Sequence, residues 1–403
     1  MTVTLEIQKT VYGGDGLGRL GDGRVCFVPG AYAGETVKAE ITEQKRRYVK
    51  ARLVEILEPL KDRLAPDPSR VVVPGMVYQD VSHEAELRFK QDQLENFLWK
   101  VESQVLPLEV VPSKSPLNYR TKATYHTERR GGKWLFGYRR ELSHEVLDIA
   151  EDPLARPEIN AALPGVRAGV MALLTQGAAG VRRAAAAEDV TVRWTPIDGV
   201  KWWLGAPPPG LELHEQTAGM RFVVPGDGFY QVNPEIGGKL AEAVRDAYLA
   251  GADAAPNILD LYCGVGVFGL LCLKAAAAAA PDARLVGVES GRAAIAAAKR
   301  NAAAAGLSAN FFCERVGGSL ARIKVGPRHT VILDPPRGGL EPNVAPWLAK
   351  RPAPRVIYVS CDPATLTRDL QALNGAYRIA KVTLFDMFPR TARFETLVEL
   401  VRR

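Results

Sequence analysis

From Met1 to about Leu60, hydrophobic and polar residues alternate with a period of two, in VTLEIQKTV, RVCFVPG, ETVKAEITEQ and VKARLVEIL. The breaks between these runs are turn sequences, GGDGLG, GDG and PGAYAG. Short strands at this spacing predict a small closed β-barrel over residues 1–60, of the OB-like kind that binds oligonucleotides. The glycines of GGDGLGRLGDGR precede no helical pattern, so they read as turns between strands and not as a phosphate loop.

The proline-rich KDRLAPDPSRVVVPG reads as a linker into a second region, residues 61–225. Its pattern predicts an amphipathic helix over EAELRFKQDQLENFLWKV, basic aromatic strands over residues 118–144, a helical part from about Pro157, and the strands VTVRWTP and KWWLGA, ending at APPPG. This is an α+β region, with Trp202 and Trp203 expected as core or interface residues. From Gly226 the pattern changes to apolar strands alternating with helices. The run is NILDLYCG, a helix through FGLLCLKAAAAAA, RLVGVES, a helix through RAAIAAAKRNAAAAG, NFFCERV, HTVILDPP, VIYVSCD, and finally FDMF and TLVELVRR. Such alternation predicts an α/β fold, a doubly wound, mostly parallel sheet over residues 226–403, with the last two strands as an antiparallel edge.

At 403 residues, 47% hydrophobic and 24% charged, the chain has the composition of a globular protein of two or three domains. Lys274 interrupts its most apolar run, and the amino terminus lacks the basic and apolar segments of a signal peptide, so a cytoplasmic protein with no membrane association is expected. Five scattered cysteines, without a C-x-x-C pair, give neither a disulfide framework nor a metal site. The net charge of +7 is concentrated. Lys38, Lys45, Arg46, Arg47, Lys50 and Arg52 crowd one stretch, and Arg120, Lys122, Arg129, Arg130, Lys133, Arg139 and Arg140 interleave with Tyr119, Tyr125, Trp134, Phe136 and Tyr138 in another. Cations track phosphates and aromatics stack on bases, which predicts RNA binding; the alternative is a solvated face with aromatics packed beneath it.

The candidate chemistry lies in the last region. The strand RVIYVS delivers Cys361 to the carboxyl end of the sheet, where open α/β folds hold their sites, and Glu395 follows in DMFPRTARFET. In DLYCGVGVFGL, Gly264 and Gly266 let a ligand approach a helix amino terminus. Glu289 ends the next strand, the position from which an acid bonds ribose hydroxyls. The missing third glycine of G-x-G-x-x-G favours S-adenosylmethionine over a dinucleotide.

Taken in order, GDGFYQVNPE, LDLYCGVGVFGL, VGVES, LDPPRGGL, YVSCDPATLTRDL and FDMFPRTARFE closely resemble the RNA uracil-5-methyltransferase family. The amino-terminal barrel is similar to its TRAM domain. The resemblance implies Cys361 as nucleophile and Glu395 as base. It implies Gln231, Tyr262, Val267 (a position often Asn), Glu289 and Asp334 around the methyl donor, beside Gly264 and Gly266. Phe229, Gln231, Asp334 and Arg337 are the implied contacts to the target base. Thiolate addition to carbon 6 of uracil would make carbon 5 nucleophilic, with Arg337 as the neighbour expected to favour the thiolate and Glu395 removing the last proton. The implied partner is 23S rRNA or tRNA, acted on by a monomeric enzyme. Where some relatives bind a four-iron cluster, this chain has Val73, Met76 and Asp152, so no cluster is expected and packing must replace it. Arg393 stands where the family has His, and Arg315 near the adenine. The alternative reading is a non-catalytic RNA-binding protein that keeps the fold.

Overall fold

The computed structural model describes residues 1–104, 106–140, 143–175, 189–277 and 280–403. Five strands, Thr2–Thr10, Gly16–Arg19, Val25–Val28, Thr36–Gln44 and Tyr48–Glu58, close into a barrel in the order first, second, third, fifth, fourth. The alternation is its cause: Leu5, Ile7, Cys26, Val28, Val37, Ala39, Val49 and Ala51 point inward and form one apolar core.

The residues that follow the barrel are packed against it. Glu35 is fully buried, and its carboxylate accepts from the Tyr32 and Leu60 amides and, at 2.9 Å to each oxygen, from Arg63 Nη1. Tyr32 stacks on Phe89 of the helix His83–Leu98, at 5.8 Å and 10°. From the same helix, the Gln93 amide donates to the Thr10 and Val11 carbonyls.

The central region holds a five-stranded antiparallel sheet in the order Gly199–Leu204, Asp189–Thr195, Lys122–Arg130, Lys133–Arg139, Val146–Asp148. The helix Pro157–Thr175 lies on one face, with Gly169 against the Trp202 ring, and Trp203 is buried. Here one expectation is corrected. The interleaving of Tyr119, Tyr125 and Phe136 with cations predicts stacking partners for bases, but all three are buried in the core, which is the alternative of aromatics packed beneath a solvated face. In a two-sided sheet the period-two pattern sends one set of side chains inward, and here the aromatics are that set. Arg129, Arg130, Lys133 and Arg140 are exposed because they lie at the strand ends or just beyond them. Val73 and Met76 join this same core. Asp152, also fully buried, accepts from the Tyr125 and Tyr138 hydroxyls at 3.0 and 2.7 Å, so a carboxylate hub accompanies the apolar packing.

The carboxyl-terminal layer is an eight-stranded sheet in the order Ala309–Cys313, Leu285–Glu289, Asn257–Leu261, His329–Leu333, Arg355–Ser360, Glu395–Arg402, Tyr377–Phe385, Leu108–Val111. The first five are parallel, and Glu395–Arg402 pairs antiparallel on both sides. The expected antiparallel pair is therefore present but is not the edge, because Leu108–Val111 adds a parallel strand outside it. The penultimate strand also lies upstream of FDMF. Arg378, Lys381 and a register shift between Ile379 and Lys381 had masked its alternation. The helix expected through residues 268–280 is Val267–Ala276, and residues 278 and 279 lie outside the described set. A hairpin, Glu212–Thr217 with Met220–Pro225, packs Met220, Phe222 and Val224 into the core of this layer, and Asn301 bonds both backbone groups of Val223. No helix among the described residues is long and apolar enough to cross a membrane.

One ionic cluster joins the central helix to this layer. Lys90 is fully buried; its Nζ donates to Glu86 at 2.6 Å, Asp386 at 2.8 Å and the Phe388 carbonyl at 3.2 Å. His83 Nε2 lies 2.7 Å from the other Asp386 oxygen, and the Arg390 amide donates to Glu86 at 2.7 Å. Burial alone would raise the Asp386 pKa, but Lys90 and His83 bring it down to about 2, whereas Glu86 is raised, chiefly by burial. Replacing one partner leaves unpaired charge in a dry site, which costs about 3–5 kcal/mol. Lys90→Met is accordingly expected to lower unfolding free energy by about that amount, read as a fall in denaturant midpoint. An unchanged midpoint would show that the cluster contributes nothing.

Candidate active site

The loops at the carboxyl ends of the parallel strands, together with residues 229–234, enclose one cleft of about 810 Å³. Phe229, Gln231, Tyr262, Gly264, Val267, Glu289, Arg315, Asp334, Arg337, Cys361, Arg393 and Glu395 all line it. Gly266 does not, but it caps the helix Val267–Ala276 with φ +86.

At one end, the turn after Asn257–Leu261 is set by backbone conformations that few residues tolerate. Tyr262 has φ +65 and Gly264 φ +53, and a Cβ at Gly264 would meet only open space. Strain of this kind persists where the surroundings over-determine it, and the Tyr262 hydroxyl is indeed held by the Glu341 amide at 3.3 Å. Glu289 Oε1 accepts from the Gly291 amide at 2.7 Å and from Ser290 at 2.9 Å, which fixes the carboxylate at the strand end; Oε2 has no such partner among the described residues. A bare backbone turn, a fixed acid with one oxygen to offer and the apolar walls Val267, Phe268 and Val316 suit a nucleoside-bearing donor. Arg315 stands at this end, paired to Glu341 at 3.1 Å.

At the other end, Cys361 is half-buried just beyond the strand Arg355–Ser360. Burial, then the nearby charges of Glu395 and Asp334, push its thiol up to about 12. Arg337 pulls in the opposite direction and is outweighed. Arg337 thus acts on the thiol in the expected direction, but its side chain is exposed, and burial with the recessed acids outweighs it. It makes no ion pair with Asp334 within 4.0 Å among the described residues. Burial pushes Asp334 up to about 7, with Glu289 adding to it. Glu395 is 3% exposed and is raised well above the ordinary carboxylate range by burial and then by Asp334. The thiol therefore keeps its proton at neutral pH, and the two facing acids hold theirs more tightly than exposed carboxyls do.

Three side chains that the sequence reading left out shape this end. Asn233 caps the helix Pro234–Leu249 and donates to the Met387 carbonyl at 3.3 Å, tying the loop of Phe229 and Gln231 to the loop of Glu395. Asp362 caps the helix Pro363–Leu373. An Asn or Asp directly before Pro and an apolar-periodic run was the available signal for both. Asp260, a lone acid in the strand Asn257–Leu261, is buried; burial, then Asp334 and Glu289, push it up to about 8 against the Gly269 amide that bonds Oδ2. Phe229, 70% exposed, lies at the cleft mouth near Arg156, whose guanidinium covers the Trp194 ring at 4.0 Å.

With its thiol at about 12, Cys361 should react slowly with iodoacetamide near neutral pH, and the rate should climb about tenfold per pH unit on the alkaline side. Glu395→Gln, which removes a charge that raises the pKa, should accelerate alkylation at fixed pH. Peptide mapping by mass spectrometry reads both; a rate already at its plateau by pH 7 would mean an ionised thiol.

The comparisons with known proteins agree with one another. The profile of the tRNA (uracil-5-)-methyltransferase family matches residues 211–403, and that of the TRAM domain matches residues 1–54. An uncharacterized RNA methyltransferase of Thermotoga maritima is 30% identical, over 100% of this chain and 99% of its own length. The 23S rRNA (uracil(1939)-C(5))-methyltransferase RlmD of Shewanella amazonensis is 30% identical, over 99% of this chain and 96% of its own. The crystal structure of Pyrococcus abyssi tRNA (uracil-54, C5)-methyltransferase with S-adenosyl-L-homocysteine shares the fold, with a TM-score of 0.71 at 21% identity and full coverage of both chains.

Proposed function

The chain belongs to the RNA uracil-5-methyltransferase family, whose methyl donor is S-adenosylmethionine, and from that premise we propose that it methylates carbon 5 of a specific uridine through a covalent Cys361 adduct. The observation that carries this reading is the convergence of Cys361, Glu395 and Asp334 with Glu289 and the glycine turn on one cleft.

The bound donor supplies an electrophilic methyl group. Glu289 would bond the ribose hydroxyls and the 262–267 backbone would hold the rest of the donor, with Val267 and Val316 as walls. The uridine leaves its stack to enter the cleft, with Phe229 against its ring and Gln231 and Asp334 at its polar edge. An ionised Asp334 accepts the N3 proton of uracil, a proton that cytosine lacks. The Cys361 thiol gives its proton to a facing carboxylate, and the thiolate adds to carbon 6, moving the ring electrons onto carbon 5 and oxygen 4. Carbon 5 then takes the methyl group as the donor's sulfur–methyl bond breaks, its electron pair staying on the sulfur, which leaves as a neutral thioether. Ionised Glu395 removes the proton left on carbon 5, the ring double bond re-forms, and Cys361 departs as thiolate. The net change is one methyl group gained and one proton released. Burial beside Asp334 keeps Glu395 a stronger base than an exposed carboxylate once it is ionised.

Ribosomal RNA is the proposed substrate class, because the RlmD relative is 30% identical along 99% of this chain, whereas the tRNA enzyme shares the fold over the same length at 21% identity. The barrel's Lys45, Arg46 and Arg47 are exposed and available to phosphates.

Incubation with labelled methyl donor and unmodified rRNA or tRNA transcripts tests the activity and names the position. In the same assay Cys361→Ala should retain donor affinity and lose methylation. Glu395→Gln should pass methyl transfer and stall before release, accumulating a protein–RNA adduct that survives denaturing electrophoresis. A fully active, adduct-free Glu395→Gln enzyme would assign the proton removal to another group.

A further inference from the structure

The barrel reaches the catalytic loops through one tyrosine. Tyr12 lies in the loop between Thr2–Thr10 and Gly16–Arg19, and its ring sits edge-on to Phe97 and Phe394, each at 5.9 Å. Arg393 Nη1 donates to the Tyr12 hydroxyl at 2.7 Å and reaches Asp362 Oδ2 at 3.4 Å, while the Tyr12 hydroxyl donates to the same Oδ2 at 3.4 Å. Asp362 directly follows Cys361, and its other oxygen is spent on the Ala364 and Thr365 amides at the start of Pro363–Leu373. Arg393 is two residues from Glu395 and lines the cleft. Three side chains from three separate segments thus meet beside the thiol and the acid.

We propose that Tyr12 is a positioning residue: through Arg393 and Asp362, the barrel fixes the Cys361 loop and the Glu395 loop relative to each other. The proposal rests on the reading of those two residues as nucleophile and base. The Arg393–Asp362 pair alone is a weak tie, being partly exposed and 3.4 Å long. A hydroxyl that accepts from the cation and donates to the anion turns it into a small network whose members reinforce one another. Burial raises the Tyr12 hydroxyl to about 12, so it keeps the proton that this role requires. The barrel itself is held firmly enough to transmit position, through the Gln93 amide on Thr10 and Val11 and the Tyr32–Phe89 stack. The Arg that replaces the family's His therefore has a use, since its length lets it span from the Glu395 loop to both Tyr12 and Asp362.

The test uses the full-length protein and the variants Tyr12→Phe, Arg393→Met, Arg393→Lys and the double variant Tyr12→Phe with Arg393→Met. Tyr12→Phe keeps the ring packing and removes only the hydroxyl. It should lower kcat for RNA methylation about tenfold, leave KM for RNA and the affinity for S-adenosylhomocysteine within about twofold, and leave thermal stability unchanged. The double variant should be no slower than the slower single one, and Arg393→Lys should recover part of the rate lost in Arg393→Met. Independently of turnover, Tyr12→Phe should loosen the Cys361 loop and raise iodoacetamide alkylation of Cys361 about threefold or more in the absence of RNA. A rise in KM with kcat intact would make Tyr12 an RNA contact and overturn the proposal, as would additive losses or unaltered alkylation. If the wild-type enzyme formed no adduct with RNA carrying 5-fluorouridine at the target position, the catalytic reading would fail, and the alkylation rates would still decide whether Tyr12 positions the loop.

Discussion

The site depends on crowding a thiol and several carboxylates into a poorly solvated end of one mixed sheet. Cys361, Asp334 and Glu395 each hold their protons more tightly than they would in water, because burial penalises each charge and each neighbouring anion penalises it again. Arg337, the cation that pulls against this on the thiol and on Glu395, is exposed, and its pull on the thiol is the lesser effect. A ready-made thiolate is not what this arrangement provides. It provides a protonated thiol facing carboxyl groups that burial has made stronger bases than exposed ones, to which the thiol proton can pass when a planar, polar ring fills the cleft.

Such a set works only if its members keep their spacing, and the loop that delivers Glu395 has no regular structure of its own. It is held at both ends. Asp386, at its start, is bound by buried Lys90 and by His83 from the central helix. Arg393, near its finish, is bound by Tyr12 of the barrel and by Asp362 beside the thiol. Asn233 adds a third tie between this loop and the one bearing Phe229 and Gln231. The barrel and the central helix are thus structural parts of the catalytic end, in addition to the phosphate-facing role that their exposed cations suggest.

Much of this was legible in the sequence because it was periodic or local. The alternation in VTLEIQKTV and its successors fixes which barrel residues point inward, and the alternating apolar strands and helices after Gly226 fix the doubly wound sheet. The glycine turn, Glu289, Cys361 and Glu395 were readable because each lies in a recognisable run, the first three at or just past the end of a strand and Glu395 at the start of one. What was not legible depends on which face a side chain takes or on contacts between distant segments. Tyr125 and Phe136 alternate with cations just as a stacking surface would, yet the sheet turns them inward. Leu108–Val111 is too short to announce a strand, and it forms one only because Tyr377–Phe385 offers an open edge. Tyr12 and Arg393 are 381 residues apart, and nothing local in either segment foretells their contact.

The most direct test of the account is to supply a ring that can complete every step except the last. RNA carrying 5-fluorouridine at the target position, incubated with methyl donor, can accept Cys361 at carbon 6 and the methyl group at carbon 5, but fluorine cannot leave as a proton does. The account predicts a one-to-one protein–RNA adduct that survives denaturation, with the methylated nucleotide mapped by mass spectrometry to Cys361. An adduct on another cysteine, or none at all under conditions in which ordinary RNA is methylated, would contradict it.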